Sequence, residues 1–114
     1  MTDTASPGLR WITKPQEMLS IRRAGRLYRG KHLYVWVLSG AKTEELPAVA
    51  VVTGRGFSGA SRRNLAKRRV RGSVLDTRHL LKAEHLYLVE GRPGADKVDY
   101  QLLVDEITEA TAGT

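Results

Sequence analysis

Ser61-Arg62-Arg63-Asn64-Leu65-Ala66-Lys67-Arg68-Arg69-Val70-Arg71 is the stretch whose reading decides how the rest of this chain is organised. It holds six of the nineteen basic residues, and no acidic residue stands between Glu45 and Asp76 to neutralise them in sequence. A field clustered in this way has a polyanion as its natural counter-charge. At about 100° per residue, Arg63, Lys67 and Arg71 fall on one i, i+4 line, with Asn64 and Arg68 on the line beside it. Ala66, Val70 and Val74 form an apolar line roughly 90° away, suited to packing on a sheet. The stretch is therefore predicted to be a helix that buries one face and presents charge on the next. Gly54, Gly56, Ser58 and Gly59 mark its start, Ser58 or Ser61 can cap the first turn, and Gly72 is expected to interrupt it near the far end. All but one of the six basic residues are arginine, whose planar fork suits bidentate phosphate recognition.

Size and charge bound what surrounds this helix. With 114 residues and 41% hydrophobic content the chain fits one domain, read as residues 16–112, preceded by a flexible arm over residues 1–15. The absence of cysteine excludes a disulfide framework and thiolate chemistry. No apolar run approaches a membrane span, so a cytoplasmic protein without a membrane partner is expected. Residues 1–75 carry 15 basic and 4 acidic groups, whereas residues 76–114 carry 4 basic and 8 acidic. The first two thirds thus supply the basic surface, and the acidic closing segment is expected to face away from a nucleic acid.

On the N-terminal side of the basic helix, residues 16–25 read as a short helix with Met18, Leu19, Ile21 and Ala24 as candidate buried positions and Gly25 as its stop. Residues 32–39 are the clearest strand, with Leu33, Val35 and Val37 on one side and His32, Tyr34 and Trp36 on the other. The aliphatic side belongs to a core. The aromatic side, beside a basic helix, is what single-stranded RNA requires, because bases stack on rings while arginines hold the backbone; packing under the first helix is the competing role for Trp36. Residues 40–47 read as a polar turn and residues 48–53 as a strand. On the C-terminal side, residues 77–82 are a connection, residues 85–90 a strand and residues 91–97 a turn with Pro93 and Gly94. Asp99 starts a last helix that buries Leu102, Leu103, Ile107 and Ala110, with Asp105, Glu106 and Glu109 on its wet face.

No constellation for catalysis by the protein emerges. There is no Cys-His or Ser-His-Asp spacing, no zinc motif and no GxxxxGK phosphate loop. Gly54, Gly56 and Gly59 spell GxGxxG between a strand and a helix, but arginines open the helix and no ribose-binding acid follows, which argues against a dinucleotide site. His32, His79 and His85 are too scattered for a metal site.

The segment Gly56–Arg71 resembles the signature of the bacterial ribonuclease P protein family. Phe57, Ala60, Arg63, Asn64, Lys67, Arg68 and Arg71 stand at matching positions without a gap, while Leu65 replaces the second arginine of the family's Arg-Asn-Arg core and Ser58 replaces a glycine. Flanking segments extend the resemblance over residues 21–110, including the Arg92-Pro93-Gly94 turn. The resemblance implies an α/β sandwich similar to the second domain of ribosomal protein S5, in the order α-β-β-β-α-β-α, with a left-handed βαβ crossover. It implies a non-catalytic protein subunit of an endoribonuclease that removes the 5′ leader of precursor tRNA. The partners would be ribonuclease P RNA and precursor tRNA, not DNA, and the chemistry would belong to the RNA with magnesium held mainly by it. Arg55, Arg62, Arg63, Asn64, Lys67, Arg68 and Arg71 would bind RNA. Met18, Arg22, Tyr34, Trp36 and Phe57 would line a cleft for the leader, although Met18 and Arg22 stand where the family has aromatic residues. A ribosomal-type RNA-binding protein or RNA chaperone on the same fold is the alternative, and a stand-alone nuclease or DNA-binding factor a third.

Overall fold

A computed structural model describes residues 8–40 and 45–114. Along the chain come β1 (Arg10–Trp11), α1 (Pro15–Ala24), β2 (Arg26–Arg29), β3 (Leu33–Leu38), β4 (Ala48–Thr53), α2 (Ala60–Asp76), β5 (Leu86–Gly91) and α3 (Tyr100–Thr111). The strands make one mixed sheet in the order β1-β4-β5-β3-β2. β4 runs parallel to β1 and β5, and β3 runs antiparallel to β5 and β2. A parallel pair cannot be closed by a tight turn, so the β4–β5 pair needs a crossover, and α2 provides it.

The sheet has helices on both faces, which is why the central strand β5 is buried at all six positions. Leu33, Val35 and Val37 of β3 join Val49, Tyr87 and Val89 beneath α2 (Ala66, Val70, Val74) and α3 (Leu103, Ile107, Ala110). On the opposite face Trp36, Ala48, Ala50, Leu86 and Leu88 lie with Ile12 and Ile21 of α1. Each fully buried aliphatic side chain is worth about 1.5–3 kcal/mol, so the face with two helices carries the larger share of the hydrophobic stabilisation.

Several expectations are corrected. Residues 9–12 of the arm predicted for residues 1–15 are part of the fold: β1 pairs with β4, Arg10 opposite Ala48 and Trp11 opposite Val49, and Leu9 and Ile12 are buried in the two different cores. The observed order therefore gains a leading strand, β-α-β-β-β-α-β-α. Residues 1–7 of the predicted arm and 41–44 of the predicted turn lie outside the described residues. Gly72 does not interrupt α2; its missing Cβ admits the Tyr100 hydroxyl, which would lie 3.0 Å from such an atom. Neither serine caps α2. Gly59, at φ 100°, is the capping residue, a left-handed conformation that glycine adopts without strain. Leu19 and Leu102, expected in the core, are exposed. Glu106 turns inward: its carboxylate accepts hydrogen bonds from the backbone N–H of His32 and Leu33 at 3.0 Å each and pairs with His32 Nδ1 at 2.7 Å, fixing the β2–β3 turn to α3.

Candidate nucleic-acid interface

The charged face of α2 is built as the periodicity requires. Ala66, Val70, Ser73 and Val74 are buried, and Arg62, Arg63, Asn64, Lys67, Arg68 and Arg71 are exposed. These basic residues are not equivalent. Arg62 lies 3.8 Å from the buried carboxylate of Asp96. Arg69 points back into the fold and donates to the carbonyls of Ala95 and Val98, tying α2 to the loop before α3. Arg71 stacks over Trp11, its Cζ 4.5 Å from the ring centroid. Among the described residues, the side chains of Arg63, Asn64, Lys67 and Arg68 have no hydrogen-bonding or ionic partner within the protein. Arg55, exposed in the loop before α2, shares that condition. Four free cations beside an amide form a surface whose counter-ions a polyanion would displace.

The second group of residues lies across the sheet. Side chains of β3 alternate, so Tyr34 and Trp36 point away from α2 toward α1. Tyr34, Trp36, Met18 and Arg22 are thus brought together, but on the face opposite the basic helix, which corrects the expectation that rings and basic helix would be neighbours. The rings are also not bare. Arg22 Cζ lies 4.7 Å from the Trp36 centroid and Arg92 Cζ lies 4.6 Å from that of Tyr34, while the two rings meet edge to face at 6.2 Å. One carboxylate holds both arginines: Glu90 Oε1 accepts from Arg22 at 3.1 Å and Oε2 from Arg92 at 2.5 Å. Strand register explains the grouping, since Val52, Glu90, Tyr34 and Arg29 are successive partners across β4, β5, β3 and β2. The Glu90 side chain is 8% exposed, against 40% for Arg22 and 32% for Arg92.

Magnitudes decide whether a base can reach those rings. Stripping a partner from a fully buried ion pair costs roughly 3–5 kcal/mol, and less here because both guanidinium groups are partly solvated. A base stacked on a ring returns about 1–3 kcal/mol. The two ranges meet, so a base gains little by displacing an arginine that Glu90 already holds over a ring.

A groove of about 190 Å³ connects the two faces around the edge of β4, where β1 has ended. It is lined by Trp11, Ile12, Thr13, Met18, Val51, Lys67 and Arg71, so α1 and α2 both contribute. Phe57 does not join the other cleft residues. It packs against the α2–α3 core and lines a separate depression with Ser58, Pro93 and Asp96.

The family model described as Ribonuclease P matches residues 8–113. The chain belongs to the ribonuclease P family. Its fold is shared with the ribonuclease P protein of Thermotoga maritima, at TM-score 0.73 and 18% identity over 90% of this chain and 94% of that one. The ribonuclease P protein of Staphylococcus aureus aligns at TM-score 0.69 and 16% identity, covering 87% of this chain and 89% of that one. No curated protein sequence matches the chain. Membership makes it a ribonuclease P protein component and hence a tRNA-processing protein. No described helix is long and apolar enough to cross a membrane.

Within this ribonuclease P protein, three site residues escaped the sequence reading. Trp11 falls in the predicted arm, because a two-residue strand is too short to show alternation. Glu90 and Arg92 read, from sequence, only as a strand end and a turn. The visible signal was a carboxylate closing an otherwise apolar strand, two residues before an arginine. Its partner Arg22 is 68 positions away and is found only through the sheet.

Proposed function

We propose that this chain is the RNA-binding subunit of ribonuclease P, gripping the catalytic RNA with α2 and steering the 5′ leader of precursor tRNA across the α1 face. The observation that carries the reading is the unpartnered row Arg63, Asn64, Lys67 and Arg68, set on a helix whose other side is locked into the core. Arg55, Arg62 and Arg71 flank this row. A folded protein of net charge +7 at pH 7 gains little stability from leaving such a row unpaired. Its use is to neutralise phosphate and release the ions condensed on RNA.

Among the described residues no group of three or more His, Cys, Asp or Glu side chains is placed to hold a metal ion. Magnesium, which supplies the hydrolytic chemistry when bound, is assigned to the RNA. The protein residues bind and orient. Met18, Arg22, Tyr34 and Trp36 make the surface assigned to the leader, and Phe57, on the other side of the sheet, is assigned to the rim of the α2 surface. The compartment proposed is the cytoplasm.

Reconstitution tests the reading. Adding the chain to ribonuclease P RNA at physiological magnesium is expected to raise cleavage of precursor tRNA well above that of the RNA alone. No increase, with ribosomal or other RNA copurifying from its own cells instead, would assign the fold to a different RNA partner.

A further inference from the structure

The leader surface of this protein contains a feature that a stacking groove does not need: a buried carboxylate. Glu90 lies on the sheet with both oxygens engaged by arginine, and Gly54 makes room for it. A Cβ on Gly54 would lie 2.5 Å from Arg92 Nη1 and 2.6 Å from Glu90 Oε2, so the end of β4 is shaped around this pair. Each guanidinium has five N–H donors and uses one on Glu90. Among the described residues neither makes another hydrogen bond, and both are partly open to solvent.

Resting on the leader-binding role above, we propose that Arg22, Glu90 and Arg92 form a preorganised phosphate site, which holds one phosphodiester of the single-stranded leader above Trp36 and Tyr34. The two non-bridging oxygens of one phosphodiester address the outward donors of the two arginines. Trp36 and Tyr34 act as platforms beneath the guanidinium planes and do not receive bases. Glu90 is a positioning residue: it orients both forks and lowers the charge of the cluster from +2 to +1, the counter-charge of a single phosphodiester. The specificity that results is for strand position and backbone, not for base identity. Held from both sides, the arginines lose little freedom when the strand arrives.

The test uses enzyme reconstituted from the full chain and ribonuclease P RNA, with precursor tRNAs carrying one altered leader nucleotide at a time. In one series a methylphosphonate removes the charge of a single phosphodiester; in the other a base is removed and the backbone kept. One methylphosphonate position is expected to lower affinity about tenfold, as losing a charge-assisted hydrogen-bonded pair does, while abasic positions have much smaller effects. Loss confined to the abasic series would overturn the phosphate site and leave the proposed subunit role standing. Leader affinity indifferent to both series, with cleavage still stimulated by the protein, would overturn the site and confine the subunit role to α2. Failure to stimulate cleavage at all would remove both. Glu90→Gln keeps the side chain's size and is expected to spread the methylphosphonate effect over several positions. A reduced melting temperature with an unchanged methylphosphonate profile would make Glu90 structural only and overturn its positioning role.

Discussion

The two faces of the sheet solve different problems with similar residues. On the α2–α3 face, two helices seal an aliphatic core, and the side chains of Arg63, Lys67 and Arg68 project outward from its far side with no partner among the described residues. On the α1 face a ten-residue helix covers only part of the sheet, and arginines lie down on aromatic rings with a buried glutamate to hold them. Sequence charge alone does not distinguish the two arrangements. Free arginines suit a large, flexible polyanion that brings its own geometry, whereas restrained arginines suit one strand that must be held in register.

The largest effect that would break this contrast is expected on the α2 face. Replacing Arg63 and Arg68 together by alanine should weaken binding to ribonuclease P RNA by one to two orders of magnitude at low salt and reduce the log–log salt slope by about two. Filter binding over a salt series reads both, and an unchanged slope would show that neither residue contacts phosphate.

Next in size is the core that supports that face. Leu103→Ala should lower stability by about 2–5 kcal/mol, measured by urea denaturation, while exposed Leu19→Ala should stay within about 0.5 kcal/mol of the parent. Similar losses at both positions would mean that the α1 side is as tightly packed as its counterpart.

Trp36→Ala sharpens the contrast from the other side. Removing the platform under Arg22 should reduce affinity for precursor tRNA more than for mature tRNA, because only the former carries a leader. Equal losses would reduce Trp36 to packing.

The smallest expected effect is one of pH. The hydrogen bond from the Tyr28 hydroxyl to Glu109, with burial and the charges of Glu109 and Glu106 adding to it, pushes the phenol up to about 12 from its ordinary 10.0. A raised value means that the neutral phenol is favoured by folding. Its contribution is complete below pH 10 and is lost as pH rises toward 12. Urea midpoints of the parent should fall more steeply than those of Tyr28→Phe across that window.

How much of this was legible in the sequence follows from the length scale of each feature. α2 runs for seventeen residues, enough turns for its buried line Ala66, Val70, Val74 to separate from its basic line. β3 alternates cleanly because each of its faces meets a different core. By contrast β1 is two residues long, and its place is set by the edge of β4, not by its own pattern. Gly72 reads as a helix breaker until the approach of Tyr100 is known. The side of the sheet on which the rings lie depends on which helix crosses which face, and period-2 alternation cannot report that. The Arg22–Glu90–Arg92 cluster joins α1 to β5 and the turn after it, so it exists only once the strands are in register.

The division of labour between the faces can be read directly, because the chain has no cysteine and single cysteines can be introduced cleanly. A hydroxyl-radical source tethered to Ser61→Cys, at the start of α2, and one tethered to Ser20→Cys, on exposed α1, would each cut RNA within reach in the assembled enzyme with precursor tRNA. The first is expected to cut ribonuclease P RNA and the second the 5′ leader. Cuts in the same RNA segment from both sites, or none from Ser61→Cys, would contradict a protein that holds the catalytic RNA on one face and the leader on the other.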